Sequence, residues 1–243
     1  MLSDSYHVLS PDFPGFGLTK VDSDFTYSFA NITKVIAAWL VALSISKTAV
    51  YVHDYGAPVG FRLAISNAIE YSAIITQNGN AYEAGFGQDH WAPLFNLWNT
   101  ANSDQARKVV ADNVLSLKGI RSQYNSTPLK DSDLLNPEAW TFNYLQNIQG
   151  DANTERQLDL FYDYRTNVEL YPQFQKYFRD SQVPILAVWG KNDPSFTPAG
   201  ASAFKRDSPG AIVEFLDAGH FAIEGKRWEI ARISRAFLSS IGW

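Results

Sequence analysis

A carboxylate that ends an apolar strand at a tight turn can act as a nucleophile. In Lys47-Thr48-Ala49-Val50-Tyr51-Val52-His53-Asp54-Tyr55-Gly56-Ala57-Pro58-Val59-Gly60, the run Thr48 to His53 reads as a buried strand that stops at Asp54. The chain then passes through Gly56-Ala57-Pro58 into a helix with apolar Val59, Leu63 and Ile65. Strand, sharp turn and helix is the geometry of a nucleophile elbow, with Asp where Ser more often stands. An aspartate, with an ordinary pKa of about 3.9, is already ionised at neutral pH. It attacks carbon without help from a base and forms an ester with the protein. Water must then clear that ester, so a base is needed at the second step. The competing reading of Asp54 is a cap on the helix that follows. Gly56 is expected to relieve crowding in the turn, and Val52 is bulkier than the glycine usual two residues before the nucleophile.

The base and its partner have candidates. Asp193 lies in Trp189-Gly190-Lys191-Asn192-Asp193-Pro194, and His220 in Asp217-Ala218-Gly219-His220-Phe221, each in a loop after an apolar strand pattern. In open sheets flanked by helices, sites form outside the carboxyl ends of the strands. Asp54, Asp193 and His220 all occupy such ends, in the order nucleophile, acid, histidine.

The elements that must position them follow from periodicity. Tyr6 to Ser10 reads as a short strand, and the loop 11–17 is broken by two prolines and two glycines. A helix spans about 28–46, with Phe29, Ile32, Val35, Ile36, Trp39, Leu40 and Leu43 on one face. The elbow strand and its helix come next, then a strand Ser72 to Gln77 ended by Asn78-Gly79-Asn80. Alternating strand and helix predicts an α/β fold, a mostly parallel sheet with helices on both faces. From 81 to 182 the alternation stops. Helix patterns near 89–100, 103–118, 137–148, 154–164 and 168–179 predict an all-helical insertion over the sheet, with Asn136 and Pro137 starting one helix. The alternation resumes with strand Pro184 to Trp189, helix 199–206, strand Ala211 to Leu216 and a last helix over about 226–239. The expected division is a core of 1–80 and 183–243 and an insertion of 81–182.

Composition narrows the partners. The net charge of -5, without a basic run, disfavours nucleic acid. There is no cysteine, hence no disulfide or thiolate metal site. His7 and His90 have no acid or histidine at metal-ligand spacing, and no Gly-rich phosphate loop occurs. Neither a metal nor another cofactor is expected. The first residues have no signal-peptide pattern, and the apolar stretch around 29–45 is too polar to span a bilayer. A cytoplasmic protein with a small-molecule substrate is the expectation.

Four motifs carry a family resemblance: Pro11-Asp12-Phe13-Pro14-Gly15-Phe16-Gly17, His53-Asp54-Tyr55-Gly56, Trp189-Gly190-Lys191-Asn192-Asp193 and Gly219-His220-Phe221. Together they resemble the epoxide hydrolase and haloalkane dehalogenase branch of the α/β-hydrolase superfamily. The resemblance implies that Asp54 is the nucleophile, His220 activates water, Asp193 orients His220, and the helical insertion is a cap. It also implies that a cap tyrosine assists the leaving oxygen of an epoxide. Tyr164, in Tyr162-Asp163-Tyr164-Arg165, matches that segment, and Tyr82 and Tyr144 are candidates for a second tyrosine. The residue after the nucleophile, Tyr55, offers its N–H to an oxyanion and its phenol to a leaving group. Trp91, Trp98 and Trp140, with Tyr144, are candidate pocket residues, and packing is the commoner use of Trp. His53 is read as structural, pointing away from the nucleophile.

A haloalkane dehalogenase is the alternative, although such enzymes, like many epoxide hydrolases, commonly carry Trp at the place of Tyr55. The family also normally has two strands and a third leading into a His-Gly-x-Pro loop before the elbow. That loop supplies one oxyanion donor, and losing one such donor typically costs ~10²–10³ in rate. The expectation is therefore an N-terminally truncated hydrolase core. A catalytically inactive truncated hydrolase or a ligand-binding fragment stands as a third reading.

Overall fold

The computed structural model describes residues 1–124 and 135–243. Four strands, β1 (Lys47–His53), β2 (Glu70–Gln77), β3 (Ile185–Gly190) and β4 (Ile212–Leu216), form one sheet in the order β1-β2-β3-β4. All three neighbouring pairs are parallel. Every residue of central β3 is buried, whereas the edge strands β1 and β4 are partly exposed. That gradient is what a parallel sheet covered on both faces produces.

Helices cover the sheet because its side chains alternate between two apolar layers. On one face Ile74, Ile185 and Ala187 pack with α1 (Phe29–Ala42), through Phe29, Ile32 and Ile36, and with α2 (Gly56–Ile65), through Val59, Phe61 and Leu63. On the other, Ala73, Ile75, Leu186 and Val188 meet Ala222, Ile230, Phe237 and Leu238 of the last helix. The Ser28 hydroxyl caps α1 by accepting from the Asn31 N–H.

Between β2 and β3 the described residues form a 3-10 turn (Glu83–Gly85), six α-helices and no strand; the helices are α3 (Gln88–Asn99), α4 (Asp104–Asn113), α5 (Leu117–Tyr124), α6 (Pro137–Asn147), α7 (Asp151–Asp163) and α8 (Arg165–Ser181). After β3 come α9 (Pro198–Asp207), then β4 and α10 (Ala222–Ser240). The helix expected over 103–118 is broken in two, because Ser116 accepts from the Gly119 N–H and starts α5 afresh. At α6, Asn136 accepts from the Glu138 N–H with Pro137 in the first turn. No helix among the described residues is long and apolar enough to cross a membrane.

Two expectations are corrected here. Tyr6 to Ser10 is not a strand. A strand needs a neighbour for its ladder bonds, and β1 pairs with β2 alone among the described strands. The first residues instead lie against α10, where Arg235 bonds the Met1 carbonyl, Ser5 and Asp4, and Tyr6 packs on the second apolar layer. Nor is Gly56 where crowding is relieved: a Cβ there would meet only Val52 Cβ, at an ordinary 3.9 Å. A Cβ on Gly60 would stand 2.7 Å from Val52 Cγ1. The bulk of Val52 is thus accommodated one helical turn later.

Candidate active site

The site is assembled from three strand ends. β1 ends at His53, and Asp54 takes a left-handed backbone with φ +44° before α2 begins. Such a conformation is strained for a residue with a Cβ, and Asp tolerates it better than most. It turns the carboxylate out of the sheet, and its side chain keeps 35% of its surface accessible. β3 ends at Gly190, and Asp193 follows in a loop whose turn is closed by the Asp193 N–H to the Gly190 carbonyl. His220 follows β4. Its imidazole and the Asp193 carboxylate are almost completely enclosed, at 1% and 0%. The nucleophile candidate is open to the surroundings, and its two companions are largely enclosed.

The three groups meet. His220 Nε2 stands 3.7 Å from Asp54 Oδ1, and His220 Nδ1–H donates to Asp193 Oδ2 at 2.8 Å. Asp193 is saturated by two more donors: the Ser195 N–H to Oδ1 at 2.7 Å and the Asn78 amide to Oδ2 at 2.7 Å. Asn78 also accepts the Gly190 N–H at 2.8 Å and donates to the Gly190 carbonyl at 3.2 Å, bolting the end of β2 to that of β3. The His220 carbonyl is held from two sides, by Gln77 Nε2 and His53 Nε2, each at 3.0 Å.

The electrostatics follow from burial and these partners. Burial alone would push His220 down. The charge and hydrogen bond of Asp193, with the charge of Asp54, outweigh it and raise its pKa to about 9. Burial acts to raise Asp193, but the His220 charge and the three donors hold its carboxyl below the usual range. Asp54 is raised, by burial first and by the Asp193 charge, against the pull of His220 and the Tyr55 N–H. His53 is lowered to about 3 by burial and by the neighbouring His220, so at neutral pH it is an uncharged donor.

These values carry a prediction. In Asp54→Asn protein one of the charges that favours the His220 imidazolium is gone. Its pKa should fall from about 9, by at least ~1 unit for an opposite charge this near. NMR titration of the imidazole in the two proteins measures the difference.

A cavity of about 110 Å³ opens over Asp54 and His220. Of the candidates from the sequence, Asp54, Tyr55, Trp91 and His220 line it. Tyr55 lies among the rings of Phe16, Phe29, Phe161 and Tyr164, and its buried hydroxyl has no hydrogen-bond partner among the described residues. Tyr164 is fully buried behind the lining, with its hydroxyl 3.4 Å from that of Tyr171. Asp54 is among the charges that raise its pKa, after burial and Tyr171.

Trp98, Trp140, Tyr144 and Tyr82 are not in the lining. Trp98 stacks on Tyr164 and donates to the Phe161 carbonyl. Trp140 lies against Tyr124 under the Arg121 guanidinium, Tyr144 packs on the core, and Tyr82 packs on Phe204. Two residues without a role in the sequence reading now have a place. His90 lines the cavity, and burial lowers its pKa, so it is uncharged at neutral pH. Asn78, read only as part of a turn, bonds the acid. A histidine directly before a lining tryptophan was the available signal for His90; nothing local marks Asn78. Among the described residues no cluster of three or more His, Asp or Glu is arranged to hold a metal ion.

A parallel sheet with helices on both faces, and an acid-histidine-acid group at its strand ends, defines a hydrolase of the α/β class. Residues 1–226 match the alpha/beta hydrolase fold family, and the chain belongs to it. It is 40% identical over 226 residues to the Saccharomyces cerevisiae protein called uncharacterized hydrolase YNR064C, covering 92% of this chain and 77% of that one. In three dimensions it is similar to the epoxide hydrolase CorEH, with a TM-score of 0.73 and 16% identity over 99% of this chain and 84% of that one. It is also similar to the haloalkane dehalogenase DatA of Agrobacterium tumefaciens C58, with a TM-score of 0.71 and 19% identity over 95% and 79% of the two chains. At such identities these two likenesses speak for the fold alone.

Proposed function

We propose that this hydrolase opens small epoxides through a covalent ester on Asp54, with α3 to α8 acting as a cap over the site. The observation that carries the reading is a reachable carboxylate at a left-handed turn, 3.7 Å from an enclosed imidazole that bonds a second carboxylate. An Asp Oδ attacks a ring carbon, the carbon–oxygen bond opens, and the oxygen leaves as an alkoxide that needs a donor and then a proton. His90, uncharged on the cavity wall, and Tyr164, close behind it, are the donors we assign. His220 then takes a proton from water, and the hydroxide attacks the ester carbonyl. The diol leaves and Asp54 is restored.

The proton count closes. In the resting site His220 is raised to about 9 and carries a proton that the first step can deliver to the alkoxide. Esterification removes the Asp54 charge, which lowers His220 and turns it into a base when a base is required. A halide leaving group fits less well. It needs N–H donors, and the Trp91 and Trp98 indoles are committed to the carbonyls of Ser195 and Phe161.

The test is intact-protein mass spectrometry of His220→Gln protein mixed with 1,2-epoxybutane or bromobutane. The expected result is a stoichiometric gain equal to the whole epoxide, mapped to Asp54, and little from the bromide. His90→Phe and Tyr164→Phe changes in that background should each slow its appearance by ~10²-fold, the lower range for a general acid. Folded protein that gains no mass would favour a binding protein instead.

A further inference from the structure

The lining of the cavity points beyond the reacting carbon to the rest of the substrate. The amide side chains of Asn143 and Asn147 on α6, and of Gln157 on α7, face the same 110 Å³ space as Asp54. They form a chain. Asn147 accepts the Gly17 N–H at 2.9 Å and donates to Asn143 Oδ1 at 2.8 Å, and Asn143 donates to the Tyr124 hydroxyl at 3.2 Å. Gln157 is 3% exposed and donates to the Asn147 carbonyl at 3.4 Å. Side-chain amides on a cavity wall can both accept and donate, so this row of three favours a ligand that brings a hydrogen-bonding group of its own.

Charge tells what that ligand is not. No Lys or Arg is among the described lining residues. The charged groups there are Asp54 and His220, and His220 already faces Asp193. A substrate carboxylate would be buried beside the Asp54 carboxylate without a cation of its own.

Size sets the third limit. The space of about 110 Å³ is smaller than the roughly 150 Å³ of an apolar cavity that accommodates benzene, so the group next to the ring must be compact. We infer that the site takes uncharged epoxides carrying a hydroxyl or carboxamide donor next to the ring, in preference to epoxy acids and to epoxides whose neighbouring group is apolar. This rests on the Asp54 reading above.

Glycidol and 1,2-epoxybutane test it, since they differ by a hydroxyl in place of a methyl, and glycidate supplies the acid. The expected kcat/KM is ~3- to 10-fold higher for glycidol than for either, the value of one buried hydrogen bond. Gln157→Leu should reduce the glycidol-to-epoxybutane ratio by ~3- to 10-fold, and Asn143→Leu should reduce it too should the first variant fold poorly. Equal rates with glycidate, or a ratio unchanged in both folded variants, would overturn the inference. Trapping on His220→Gln separates the two failures. An ester formed equally well from all three epoxides sinks only the specificity, whereas an ester from none of them sinks the Asp54 chemistry beneath it.

Discussion

Asp54→Asn protein is expected to bind product diol as the parent does and to lose turnover by ~10⁶-fold, the scale of removing the nucleophile from a catalytic triad. The substitution is nearly isosteric, and Asn, like Asp, tolerates the left-handed backbone at φ +44°. The turn should therefore survive. The carboxamide cannot form the ester, and His220, 3.7 Å away, cannot replace it, because its chemistry begins only after an ester exists. Calorimetric titration with the diol and a diol-release assay give the two readouts. Retained turnover would place the nucleophile elsewhere.

That site was largely legible in the sequence because strand ends are local events. An apolar run that halts at Asp54, another that halts before Asp193 and a third before His220 each declare a strand terminus. A parallel sheet brings such termini to one edge. Contacts made across the sheet were not legible. Asn78 reads as a turn former, and its real partners, Asp193 and Gly190, are more than a hundred positions away. His53 was read as structural, but its partner was not legible: it lies beside His220, with ring centroids 4.8 Å apart, and holds that residue's carbonyl.

The tryptophans show the other limit. The sequence places Trp91, Trp98 and Trp140 in the helical insertion, but which face each ring takes depends on the neighbouring helix. Trp91 faces the cavity and Trp98 turns to Tyr164. Tyr6 to Ser10 failed as a strand for a related reason: an apolar run supplies side chains for a sheet but not the neighbouring strand that its backbone needs.

The acid at the end of β3 sets the second large effect. In Asp193→Asn protein kcat should fall by ~10⁴-fold, as when the orienting acid of a triad becomes an amide, while the first turnover stays fast. Three donors converge on Asp193: His220 Nδ1–H and the Asn78 amide on one oxygen, the Ser195 N–H on the other. A carboxylate accepts all three. A carboxamide must turn its own N–H₂ toward at least one of them, and with the whole group enclosed there is no water to intervene.

The escapes open to the site both disable the base. His220 can move its proton to Nε2, where it would have to accept one from water, or rotate out of line with the ester. Losing the negative charge also lowers the His220 pKa, which takes away the proton needed by the alkoxide. That cost falls on the first step, but solvent and the two assigned donors can meet it. Ester hydrolysis has no such substitute, so the intermediate should accumulate. Rapid mixing with excess epoxide should give a burst of one equivalent of bound substrate followed by very slow diol release, and mass spectrometry should find the adduct on Asp54. A variant that loses the burst and the steady state together would mean that Asp193 serves the first step instead, by holding Asp54 ionised through His220.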